Sequence, residues 1–191
     1  MDDRLSDPES AFLFRLFSDP ILVREYISEL VRVNSDEYAD RLLEDLKDKI
    51  EAYDYVLQKN YPFKDIQKDI EFLYRNRDYI RKNYLEKPDV LTARLIKRSP
   101  EEIVLNLSGS SVIPLDVIGV GTNHRILFRP EKGTIGIPGI NQRQPTSRTV
   151  RFVPAEGTLP GELDGSRLSV NYRLLGTAKM RHAVVNNEVP E

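Results

Sequence analysis

The sequence predicts an α-then-β chain of two modules: a four-helix, antiparallel bundle-like half over residues 1–88, then a seven-strand antiparallel β-sandwich over residues 89–191. Three observations predict it. All ten glycines lie between Gly109 and Gly176, nine of the twelve prolines lie at or after Pro88, and eight of the nine tyrosines lie at or before Tyr84. Glycine supplies the positive-φ turns that short strands need, whereas long amphipathic helices favour a glycine-free, charge-rich stretch. The composition break at Pro88 therefore reads as a module boundary. The link Leu85-Glu86-Lys87-Pro88-Asp89 holds no glycine or serine, so two modules packed together are expected.

Charge is unevenly spread. Residues 1–88 carry 15 Lys/Arg against 20 Asp/Glu, and residues 89–191 carry 13 against 10. Neither balance approaches the basicity of a dedicated nucleic-acid binder, so no nucleic-acid partner is expected. The absence of cysteine excludes a disulfide framework and a thiolate metal site. No apolar run approaches the roughly 20 residues of a membrane span, and Met1-Asp2-Asp3-Arg4 lacks the basic and apolar regions of a signal peptide. Val184–Glu191 runs on from a strand-like stretch without a natural stop, which suggests a piece of something longer.

The helices follow in order. Ser6-Asp7-Pro8-Glu9 combines a capping side chain, a proline near the first helical position and a glutamate three residues after the serine, so a short helix starts near Pro8. Ser18-Asp19-Pro20 repeats the device for a second helix to Val33. Ser35-Asp36-Glu37 caps a third, whose Leu42, Leu43, Leu46, Ile50, Tyr53 and Leu57 recur at three- and four-residue steps until Asn60-Tyr61-Pro62, where asparagine takes the left-handed end position. In the fourth, Phe63, Ile66, Ile70, Leu73, Arg77, Ile80 and Tyr84 form one seam broken by one arginine. Arg77 either lays its aliphatic stem beside the seam with its head in water or pairing with Asp78 or Glu71, or is partly buried as an ion-pair partner of a carboxylate on another helix or domain. Tyr53, Tyr74, Tyr79 and Tyr84 read as core-edge residues with wet hydroxyls rather than as a stacking surface.

After Pro88 the helical period stops. Strand-like runs occupy Val90–Lys97, Glu102–Leu107, Val112–Val120, Arg125–Arg129, Arg148–Val153, Arg167–Leu175 and Lys179–Asn186, with Gly133–Gln144 as a turn-rich connection. Alternation in Ile103–Leu107 and Leu168–Tyr172 points one face inward, as antiparallel pairs require. Gly119-Val120-Gly121 lacks the third glycine and helix of a dinucleotide loop and reads as turn geometry. Ser108-Gly109-Ser110-Ser111 has no histidine–carboxylate partner and reads as a hairpin connection. His124 and His182, the two histidines, form no metal cluster and read as surface residues. Arg125, Arg129, Arg143, Arg148 and Arg151 form the one set able to converge on an anion or acidic partner, although solvent-facing strand positions account for them equally well.

The run Phe12–Tyr26, with its leucine-rich stretch, arginine, Asp19-Pro20 and Tyr26, and the helix Ile70–Arg81, with arginine before tyrosine and an aliphatic residue, resemble the C-terminal helical part of the CotH-type (spore coat protein H-like) atypical kinases. The resemblance covers Ala11–Leu85. It implies a helical subdomain that completes a kinase-like fold from its C-terminal side, a preceding kinase-like domain of a longer parent chain as partner, and Arg77 as the recurrent closing-helix arginine. The family's nucleotide and metal residues precede this region, so no catalytic residue and no cofactor are implied here. The β half lies outside the match and looks like an appended Ig-like sandwich. The expected function is non-catalytic: docking, spacing or recognition of a protein or cell-surface partner, with a secreted or surface location if the parent carries a signal peptide. The alternative is an independent adaptor, or a carbohydrate- or anion-binding module, using the β-half arginines and loops. A hydrolase reading finds no nucleophile and base to pair.

Overall fold

The computed structural model describes residues 19–88, 90–122, 125–140, 146–157 and 167–186. Helix α1 (Pro20–Val33) begins where the Asp19 carboxylate accepts from the Ile21 and Leu22 N–H groups at 2.8 and 3.4 Å. Helix α2 (Asp36–Asn60) is capped by Ser35, whose hydroxyl accepts from the Tyr38 N–H at 3.2 Å. Asn60 stays helical and donates its amide to the Val56 carbonyl at 3.1 Å, leaving Tyr61 as the end residue. Helix α3 (Ile66–Ile80) starts later than the seam predicts, because Asp65 is the cap, accepting from the Gln67 N–H at 3.0 Å. Phe63 is thereby left outside the helix and 97% exposed. A π-helical turn, Arg81–Leu85, follows α3 and closes with Glu86 N–H on the Arg81 carbonyl at 2.7 Å.

The predicted four-helix bundle is not present: the described residues hold three helices, and the predicted Pro8 helix lies outside them. The chain divides into two compact units. One is Ser28–Lys87; the other joins described residues 19–27 to those from Pro88 onward. The division cuts through α1, so the first two turns of that helix belong with the strands. A continuous helix gives no composition signal at such a point.

In the helical unit α2 and α3 run antiparallel. Tyr74 donates to Asp40 at 2.8 Å, Arg77 and Arg81 reach Asp36 at 3.0 and 2.9 Å, and at the other end Gln58 donates to the Lys64 carbonyl at 2.8 Å.

The β unit is a closed barrel. Its strands are β1 (Leu91–Arg98), β2 (Ile103–Gly109), β3 (Leu115–Gly121), β4 (Ile126–Pro130), β5 (Ile135–Ile137), β6 (Ser147–Pro154), β7 (Ser169–Leu174) and β8 (Arg181–Asn186). The order β4-β6-β2-β1-β8-β7-β3 is closed by β3 pairing with β4, and β5 adds to β3 as an extra strand. One pair, β1 with β8, is parallel; Ala93 faces Val185.

A seven-strand antiparallel sandwich is therefore corrected to a seven-strand mixed barrel with an eighth, short strand inside the stretch read as a connection. Alternation specifies which side chains face inward but not whether the sheet closes on itself. Closure rests on Gly119 and Gly121. A Cβ on Gly119 would lie 2.5 Å from the Phe128 carbonyl and 2.6 Å from the Ile126 side chain, and one on Gly121 would collide with the Arg125 carbonyl. Their missing side chains let β4 cross close over β3, so this pair is strand rather than turn. The Ser108–Ser111 segment is likewise no hairpin, since β2 and β3 are not neighbours. The interior is filled by Ile103, Leu105, Leu107, Leu115, Val117, Val120, Phe128, Phe152, Val170 and Leu174, all fully buried.

Candidate functional site

The β-half arginines do not converge on one point. Arg125 donates to the Gly157 carbonyl at 2.9 Å, and Arg148, opposite Leu107 at one end of β6, donates to the Gly136 carbonyl at 3.1 Å. Arg151 lies between two carboxylates, Glu102 at 2.5 Å and Glu131 at 3.3 Å. Arg129 is exposed opposite Val153, which places it on the same outer face as Arg151. Arg143 and His124 lie outside the described residues, and His182 is exposed on β8. Hydrogen bonding from Lys97, aided by Arg151, holds the Glu102 carboxyl below its ordinary value against a smaller opposing effect of burial. These groups tie the β1–β2 turn to β6; they neutralise one another rather than offering charge to a ligand.

Sequence reasoning missed a polar cluster on the outer face of β3 and β7. Asp116 is buried, with the Arg173 guanidinium at 3.3 Å and that of Arg24, from α1, at 3.7 Å. Asn171, 4% exposed and opposite both Gly119 and His182, has an amide nitrogen without a hydrogen-bond partner. The signal was available: Asp116 is the one charge inside the apolar run Val112–Val120, and such a residue is normally paired when buried. Two cations on one carboxylate anchor the first turns of α1 to the barrel. Among the described residues there is no group of three or more His, Cys, Asp or Glu able to hold a metal.

The helical unit is of another character. Arg77 is 14% exposed in its side chain, packed over the Tyr74 ring at 4.8 Å, with its head on Asp36 and Asp78, both at 3.0 Å. Asp40 accepts from Tyr74 and so pushes that phenol above its ordinary value. Beside this polar row, a cleft of about 520 Å³ opens between the end of α1, the start of α2 and α3, walled by Leu30, Val33, Leu42, Phe72, Leu73 and Ile80. Tyr53, Tyr55, Val56, Tyr61, Phe72 and Tyr79 are exposed. Tyr79 meets Tyr84 edge to face at 6.1 Å. The periodicity marked the seam from Ile66 onward but misplaced its start at Phe63, and a period cannot say how much of a seam is covered.

No family model matches the chain, and no curated protein matches it. The resemblance to CotH-type kinases therefore stands on the quoted residues alone. Among solved structures a copper-bound PCuAC domain from PmoF2 is similar at 15% identity, over 53% of this chain and 91% of that one, with a TM-score of 0.27. That likeness is too distant to bear on the fold or function of this chain. No helix among the described residues is long and apolar enough to cross a membrane.

Proposed function

We propose that this chain is a non-catalytic docking module whose contact surface is the helical unit, with the barrel as the stable body that displays it. One observation carries the reading. Across Ser28–Lys87 the buried residues among those described are Asn34 and Ala39, and α3 contributes none, whereas every barrel strand contributes buried side chains. A helical piece of this size gains its stability from apolar area removed from water, and here most of its apolar seam stays half-wet. A partner laid on the exposed faces of this unit supplies the missing burial. The CotH-type resemblance names one class of partner, a preceding kinase-like domain. The alternative, anion binding by the barrel arginines, has less support because Arg125, Arg148 and Arg151 are held by groups of the barrel itself.

Native-state hydrogen exchange on the dilute chain in high salt tests the reading. Amides of Leu46, Ile70 and Leu73 are expected to exchange far faster than those of Leu105, Val117 and Tyr172. Equal protection of both sets would show a self-sufficient helical unit and end the proposal.

A further inference from the structure

We infer that the partner of the helical unit is a second copy of this chain, with a cationic and aromatic stripe on one copy's α3 laid along an acidic stripe on the other's α2. This deepens the docking reading and rests on it. On α3 and its π-helical turn, Lys68, Phe72, Arg75, Tyr79 and Lys82 follow one another at alternating steps of four and three, so they form a single stripe. All five are exposed, Phe72 by 53% and Tyr79 by 57%. On α2, Glu37, Arg41, Glu44, Asp48, Glu51 and Tyr55 follow the same steps and are exposed throughout. The first stripe carries three cations, with the exposed Glu71 along its border; the second carries four acids and one cation.

The charges of neither stripe bond between α2 and α3, although Phe72 also borders the cleft there. The contacts between α2 and α3 go through Asp36, Asp40, Tyr74, Arg77 and Arg81. Glu37, Glu44, Asp48, Glu51, Arg75 and Lys82 have no ion-pair partner among the described residues, and Arg75 instead lies over the Phe72 ring at 5.2 Å. The spacing also matches: cations at 68, 75 and 82 and acids at 37, 44 and 51 both repeat every seven residues. Contacts of α2 with α2 or of α3 with α3 between copies would set like charges against each other, which leaves α3 on α2 of the next copy. A two-fold pair, with α3 of each copy on α2 of the other, satisfies both stripes at once; a one-sided contact instead leaves a fresh stripe for each added copy. Phe72 and Tyr79, set between the cations, are the apolar area that docking removes from water.

Sedimentation velocity of the full chain at low ionic strength, from about 1 μM to about 1 mM, spans the affinities of such a contact. The average mass is expected to rise to that of a dimer or beyond with concentration and to fall back toward the monomer near 1 M salt, where screening acts within about 3 Å. K68E/R75E/K82E and E44K/D48K/E51K replace exposed side chains. Each is expected to stay monomeric alone, and their mixture to associate at least about tenfold more tightly than either one. F72S/Y79S, which leaves every charge in place, is expected to weaken association of the otherwise unaltered chain, with circular dichroism confirming that each variant is folded. A chain that stays monomeric throughout, association indifferent to salt, or reversed variants that fail to associate on mixing would overturn self-docking. Fast exchange in a helical unit that never self-associates would remove the second copy as partner while leaving the docking reading; uniform protection would remove both.

Discussion

Arg77 shows how one cation sits in an apolar seam. Its stem occupies a seam position, its guanidinium stacks on Tyr74, and its carboxylate partner Asp36 is 62% exposed and also held by Arg81. Removing the arginine therefore strands no buried charge. Arg77→Met is expected to change the urea stability of the helical unit, followed by far-ultraviolet ellipticity, by no more than about 1 kcal/mol. A loss of about 3 kcal/mol would mean that a desolvated carboxylate had lost its sole partner. Glu102 makes the complementary case for pH. Its folded-state value is lowered, mainly by Lys97, so the stabilisation it gives is present above its unfolded value, near 4.5, and is lost as pH falls through the lower folded one. The barrel's urea midpoint should drop across that acid window, and Glu102→Gln should flatten the drop; an unchanged acid limb would refute the assignment.

At the level of elements, two helix starts were readable because their signals are local, whereas the Tyr61 end and the Asp65 cap were not. Ser35 and Asp19 occupy the places their neighbours dictate, and each of the seven predicted strand runs overlaps a strand. What could not be read is set by distance in the chain. The pairing of β3 with β4, which turns a sheet into a barrel, depends on whether two glycines meet a crossing backbone. The three-residue β5 carries too short a period to rise above its glycines and proline. Gly121→Ala is accordingly expected to cost the barrel about 1–3 kcal/mol, since the new methyl meets the Arg125 carbonyl rather than a side chain that can swing away. Gly136→Ala, where nothing lies within 4 Å, should stay within about 0.5 kcal/mol in the same thermal melt. Equal effects at both glycines would refute the closure argument.

For the whole molecule, composition located the change from helix to strand at Pro88 but not the division inside α1, where Arg24 is held by an aspartate more than ninety positions away. The five arginines drew attention by their number, yet they do not meet at one point, and the pair on Asp116, Arg24 and Arg173, is marked in the sequence only by the acid it shares. The sequence shows no Gly-rich loop, phosphate-anchoring lysine on a strand or Asp-based metal motif of the kind that cradles a triphosphate. Calorimetry of the chain with ATP and magnesium should accordingly register no binding, and a micromolar affinity would refute the docking role as the whole account.

The parallel pair of β1 and β8 has a consequence for how the protein is made. β1 leaves the ribosome first among the strands, and its second neighbour is the eighth. Until Arg181–Asn186 has been synthesised, β1 and β7 each carry a bare edge, and the nascent sheet must wait with those edges open to any other chain it meets.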